Sequence, residues 1–126
     1  MARLEHANIT VGDAARTAAW LERVFGWTIR WQGSAMNGDG QTIHIGTDEE
    51  YLALYQPKMT CSGRKPDYEA RGQLNHIGIV VADLNMAEKA VRAEGYEPHS
   101  HQKYEPGERF YFFDENDVEY EIVAYD

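Results

Sequence analysis

The feature that most limits what this chain can fold into is an internal duplication. Leu4-Glu5-His6-Ala7-Asn8-Ile9-Thr10-Val11-Gly12-Asp13 lies over Leu74-Asn75-His76-Ile77-Gly78-Ile79-Val80-Val81-Ala82-Asp83 at a constant offset of 70, with Leu, His, Ile, Val and Asp recurring in register. Later elements keep step. Gly26-Trp27 returns as Gly95-Tyr96 at an offset of 69, and Tyr51-Leu52-Ala53-Leu54 lies over Glu119-Tyr120-Glu121-Ile122 at an offset of 68. Small deletions in loops account for the drift. Self-similarity on this scale makes each copy one supersecondary unit, and the architecture must be built from two of them.

Periodicity supplies the content of one unit. Residues 4–11 alternate and are rich in strand formers, Asp13 is a good N-cap, and residues 14–25 put Ala18, Leu21 and Phe25 on one helical stripe that Gly26 stops. Strand-like runs follow at 27–32, 42–45 and 51–56, separated by Gly38-Asp39-Gly40 and Thr47-Asp48-Glu49. The second copy repeats this with a strand at 75–81, a helix at 83–94 and strands at 97–101, 109–113 and 119–124. The expectation is an α+β chain of two βαβββ modules, 1–56 and 74–126, joined by a polar crossover linker at 57–73 and forming one domain. Neither helix can bury its stripe without a sheet beneath it, so curved sheets with helices outside is the economical arrangement.

With 126 residues, of which 43% are hydrophobic, the chain can build a real core, burying roughly two-thirds of its unfolded surface. Disorder is excluded, and no apolar run approaches a membrane span. Twelve basic against 21 acidic side chains, a net charge of −9, argue against binding a nucleic-acid backbone, which needs Lys and Arg to displace counterions. A single cysteine, Cys61, and the polar start Met1-Ala2-Arg3-Leu4 set the expectation of a reducing, cytoplasmic setting.

Strand alternation then sorts the side chains. Ala7, Ile9 and Val11 are expected under the first helix, turning His6, Asn8 and Thr10 to the other face. Ile77, Ile79 and Val81 do the same in the second copy, leaving His76 with the orientation of His6. In the last strand Tyr120, Ile122 and Ala124 pack under a helix, so Glu119, Glu121, Val123 and Tyr125 turn inward. An inward carboxylate needs a hydrogen-bonded cation or a metal, and no lysine or arginine is obviously assigned to Glu121. Two imidazoles, His6 and His76, with Glu121 form the three-sided donor set preferred by Fe(II) and used by Mn(II), Zn(II) or Ni(II). Tyr51 and Tyr55 share the face of Ala53 and are candidate pocket residues with Asn8. Arg109 alternates with Tyr111 and is a candidate for orienting an anionic group. His44 is expected to be structural or exposed, and His99 and His101 to precede a flexible Gly/Pro turn as candidate lid residues.

These residues resemble the vicinal oxygen chelate superfamily, which includes glyoxalase I, fosfomycin-modifying enzymes, extradiol dioxygenases and the bleomycin-resistance proteins. The likeness covers essentially the whole chain. It is carried by residues 4–13, by Asn75-His76-Ile77-Gly78-Ile79-Val80-Val81, and by Phe110-Tyr111-Phe112-Phe113-Asp114-Glu115-Asn116-Asp117 leading to Glu121. The resemblance implies ligand positions at His6, Ala53, His76 and Glu121, three of which can bind a divalent metal. Ala53 stands where glyoxalase I supplies a second carboxylate, which serves as ligand and base. A tyrosine ten residues before the glutamate, here Tyr111, is implied as a hydrogen-bond donor or weak acid–base catalyst. The implied function is a metal-dependent lyase, thiol transferase or dioxygenase acting on a small molecule chelated through vicinal oxygens. The alternative is a metal-free binding or sequestration protein of the bleomycin-resistance type. A homodimer is implied, with His6 and the His76/Glu121 pair contributed by one chain or by two.

Overall fold

The structure, a computed structural model, describes residues 1–35 and 38–126, which fall into two compact units, Met1–Cys61 and Ser62–Asp126. In the first unit β1 (His6–Thr10) is followed by α1 (Ala14–Phe25), β2 (Thr28–Ser34), β3 (Gln41–Gly46) and β4 (Tyr51–Gln56). The second contains β5 (Ile77–Val80), α2 (Leu84–Ala93), β6 (His99–Tyr104), β7 (Gly107–Phe113) and β8 (Glu119–Tyr125). Each is the expected βαβββ module. The sheets run β1-β4-β3-β2 and β5-β8-β7-β6; the first and last strands of each module pair in parallel and the remaining neighbours antiparallel.

Local chemistry sets the helix ends. Asp13 and Asp83 are extended residues whose carboxylates accept from the Arg16 and Met86 amides, each at 3.0 Å. Gly26 ends α1 in the left-handed region at φ 70°, where a β-carbon would be strained, and its amide donates to Glu22. The buried face of α1 is Ala14, Thr17, Ala18 and Leu21, the i, i+3, i+4, i+7 stripe of a helix lying on β3 and β4, with Trp20 also enclosed. Phe25, expected in that stripe, is half-buried one turn beyond it, against Trp20 at 6.0 Å and Trp27 at 5.4 Å. In α2, Ala87 and Val91 are buried, one turn apart.

Two boundaries move for identifiable reasons. The sixth strand runs at 99–104 rather than 97–101, because α2 caps at Glu94 and the chain needs residues 95–98 to return to the sheet. The Gly/Pro segment beyond it is a hairpin turn, with Tyr104 directly opposite Gly107. His99 and His101 are therefore strand residues rather than residues leading into a flexible lid. Of the expected linker, residues 62–73 cluster with the second unit: the Tyr68 hydroxyl donates to Glu119, and the Lys65 ammonium lies 4.7 Å from the centroid of the Phe113 ring.

The turn that delivers β8 is organised by one buried carboxylate. Asp114 accepts from the amides of Asn116 at 2.9 Å and Val118 at 3.1 Å, and from the Tyr120 hydroxyl at 3.4 Å. Burial first, and the charge of Glu115 second, push its pKa up from 3.8 to about 6 against those hydrogen bonds. The folded protein thus holds a proton here that the unfolded chain releases near pH 4. Between about pH 4 and 6 this residue's contribution to stability falls as pH rises, by up to about 3 kcal/mol. Urea unfolding across that window is expected to give a less negative slope of stability against pH in Asp114→Asn than in the wild type.

Candidate functional site

Cross-strand register builds the site in the second unit. Gly78, Glu121, Tyr111 and His99 stand opposite one another across β5, β8, β7 and β6. On β8, Tyr120 and Ile122 are fully buried on one face; Glu121 turns to the other with its side chain 13% exposed. His76, just before β5, brings Nε2 to 2.9 Å from Glu121 Oε1, while its Nδ1 lies 2.8 Å from Asn75 Oδ1. An amide oxygen only accepts, so Nδ1 carries the hydrogen and Nε2 presents its lone pair to the carboxylate. In that tautomer a neutral imidazole nitrogen and a carboxylate oxygen lie side by side, two donor atoms of the kind a divalent metal takes. The donor set therefore fits a divalent metal on its own chemistry.

The expectation that Glu121 has no basic partner is corrected. Arg109 Nη1 donates to Glu121 Oε2 at 2.7 Å, with both side chains largely buried, and its guanidinium stacks 4.4 Å from the Tyr104 ring centroid. Arg109 lies on β7, with Val123 rather than Glu121 directly opposite, so the pairing is diagonal. The hydrogen bond to Glu121 holds the guanidinium firmly charged. The carboxylate is thus divided, Oε2 to Arg109 and Oε1 to the His76 side. Tyr111 is directly opposite Glu121 and edge-on to His76 with ring centroids 5.8 Å apart; burial and the Glu121 charge raise its pKa, keeping it a proton donor at neutral pH.

The first unit carries the equivalent row, Asn8, Ala53, His44 and Trp31 across β1, β4, β3 and β2. Ala53 occupies the place of Glu121, and His44 that of Tyr111. His6 keeps the arrangement of His76, with Nδ1 at 2.8 Å from Glu5 Oε1 and Nε2 left as the basic nitrogen. Its ring stacks on Tyr51 at 4.9 Å, Tyr51 stacks on His44 at 4.6 Å, and the Arg30 guanidinium lies 4.6 Å from the Tyr51 centroid. Asn8 and Tyr55 line a groove of about 770 Å³ together with Trp31, Ser34, Thr42 and His44. Burial, and then the neighbouring His6 and Arg30, lower the pKa of His44 and keep its imidazole neutral.

The candidate residues therefore fall into two groups, His76, Glu121, Tyr111 and Arg109 in one unit, and His6, Asn8, Tyr51 and Tyr55 in the other. Within either unit no group of three or more His, Cys, Asp or Glu side chains converges to hold a metal among the described residues. His101 is engaged by Glu88 of α2 at 2.9 Å, and His99 stacks on Phe113 at 5.4 Å with Nε2 3.6 Å from Glu119. Glu5 and Asn75, the orienting partners of the two histidines, were not assigned a role from sequence. The signal lay in the repeat itself, where an oxygen-bearing residue precedes His in both copies. His44, expected to be structural or exposed, is half-buried and lines the groove.

The match to known proteins follows the same architecture. The model of the Glyoxalase/Bleomycin resistance protein/Dioxygenase superfamily matches residues 3–122, and the chain belongs to that superfamily. Among solved structures, the glyoxylase/bleomycin resistance protein/dioxygenase domain from Frankia sp. EAN1pec superposes with a TM-score of 0.82 at 17% identity, covering 100% of this chain and 99% of that one. The fosfomycin resistance protein FosX from Listeria monocytogenes gives 0.78 at 17% identity, covering 100% and 95%. A mutant of the same Listeria protein, complexed with Mn(II) and 1S,2S-dihydroxypropylphosphonic acid, gives 0.75 at 15% identity, covering 97% and 91%. At these identities the likeness is one of fold. A comparison with curated protein sequences finds no match. No helix among the described residues is long and apolar enough to cross a membrane.

The Arg109–Glu121 pair generates a stability prediction that is independent of activity. In EDTA, Arg109→Met leaves the Glu121 carboxylate without its cation and is expected to lower the unfolding free energy. Arg109→Met with Glu121→Gln is expected to recover most of that loss, a coupling that a denaturant double-mutant cycle reads directly.

Proposed function

We propose that this protein is a divalent-metal-dependent enzyme that acts on a small molecule held through adjacent oxygens, with His6, His76 and Glu121 as the ligands. The observation that carries this reading is the 2.9 Å approach of His76 Nε2 to Glu121 Oε1 with Nδ1 facing Asn75, which sets two metal-type donor atoms side by side. The matching Glu5–His6 pair supports it, since an outer carboxylate or amide on Nδ1 is the usual device for orienting a ligand histidine. Fe, Mn, Zn or Ni, when bound, supplies Lewis acidity toward the substrate oxygens.

The chain's own residues supply the rest. Arg109 holds Glu121 Oε2 and thereby aims Oε1 at the His76 side. Tyr111 retains its proton and donates a hydrogen bond to a substrate oxygen lying near Glu121. Ala53 offers no acid–base group at the position mirroring Glu121, which favours addition of a nucleophile or oxygenation over a proton-shuttling isomerisation. The same reading takes the protein as a cytoplasmic homodimer.

Titration of the purified chain with Mn(II), followed by electron paramagnetic resonance and elemental analysis, tests the ligand set. His6→Ala, His76→Ala and Glu121→Gln are each expected to abolish stoichiometric uptake, whereas Asn75→Ala and Glu5→Ala weaken it by about 10- to 100-fold. Full metal content in His6→Ala overturns the assignment of that ligand. Recovery of uptake on mixing His6→Ala with Glu121→Gln chains would mean that two chains share one site. Ligand binding that survives EDTA, with no metal-dependent turnover of catechols, thiol adducts of 2-oxoaldehydes or fosfomycin, would identify a sequestration protein instead.

A further inference from the structure

We propose that the groove of the first unit accepts a flat, uncharged ring system of about bicyclic size, laid against the open face of Trp31. This deepens the proposed function by naming a substrate class, and it rests on that reading only in treating the bound ring as part of the substrate. The first argument is the platform. Trp31 is a large apolar side chain left 49% exposed, and its indole lies down along β2 over Gly33. A β-carbon at residue 33 would come 2.8 Å from Trp31 Cζ2 and 3.0 Å from Cη2, so glycine is what lets the ring lie flat. The His44 ring stands beside it at 5.0 Å, tilted by 50°, and forms a second aromatic wall.

The second argument is charge. Trp31, Asn8, Ser34, Thr42 and Tyr55 carry no formal charge, and the remaining titratable wall, His44, is held neutral chiefly by burial. An anion entering the groove would lose water without gaining a cation from its lining, whereas an uncharged ring gains stacking area. The amide of Asn8 and the hydroxyls of Ser34, Thr42 and Tyr55 give ring oxygens or nitrogens their hydrogen-bond partners. A volume of about 770 Å³ falls within the range of sites for small organic molecules.

Calorimetry on the full chain, with and without EDTA, tests this with three probes of one carbon skeleton: 2-naphthol, decahydro-2-naphthol and naphthalene-2-sulfonate. Saturable binding of 2-naphthol is expected, with the saturated and the anionic analogues each weaker by about tenfold. Trp31→Ala is expected to weaken 2-naphthol binding by about tenfold and Trp31→Phe to retain most of it. Gly33→Ala keeps the indole but displaces it and should behave like Trp31→Ala; the latter adds no atoms and stands alone should the glycine variant fail to fold. Equal affinity for decahydro-2-naphthol, or 2-naphthol binding unchanged in Trp31→Ala, overturns the proposal. Failure of the metal assignment is separable. A chain that takes up no Mn(II) but binds 2-naphthol through Trp31 sinks only the enzyme reading, and one that takes up Mn(II) but binds 2-naphthol independently of Trp31 sinks only this one.

Discussion

Each module depends on the parallel pairing of its first strand with its last. A parallel partner cannot be reached by a tight turn, so the chain must cross over, and the helix with the two intervening strands is that crossover. The consequence is chemical as well as topological. Residues that are 45 positions apart in sequence, His76 and Glu121, arrive within 2.9 Å because β8 lies beside β5. The same closure in the other module sets Ala53 beside Asn8. One backbone pairing, made twice, thus creates two equivalent positions and leaves their content to the side chains.

Much of this was legible before any coordinates. The offset of 70 between His6 and His76 and of 68 between Ala53 and Glu121 tied the two copies together, and alternation assigned faces correctly on β1 and β8, where Ile9, Val11, Tyr120 and Ile122 are buried. Caps at Asp13 and Gly26 were readable because each depends on a few adjacent residues, whereas Asp83, expected as the first residue of its helix, caps it instead. What failed to show was reach. Arg109 pairs with Glu121 across a diagonal, by extending a long side chain past the residue directly opposite, and alternation says which face a side chain takes but not how far along it travels. Tyr68 is similar, since its partner Glu119 lies 51 residues away and is brought there by a segment with no periodicity of its own.

The division of Glu121 between Arg109 and the His76 side reconciles two demands on that carboxylate. On the largely enclosed sheet face Arg109 pairs with one of its oxygens without occupying the second. Burial and the negative charge of Glu121 favour the protonated form of Tyr111. The unit therefore keeps a carboxylate acceptor and a phenol donor side by side.

The two halves descend from one pattern, yet they have parted in character: the row ending at His99 is ionic, while the row ending at Trp31 is aromatic and nearly neutral. No residue belongs to both rows. The strand positions that carry Glu121 and Tyr111 in one module carry Ala53 and His44 in the other. A doubled βαβββ unit thus offers one backbone frame two separate sets of side chains to vary.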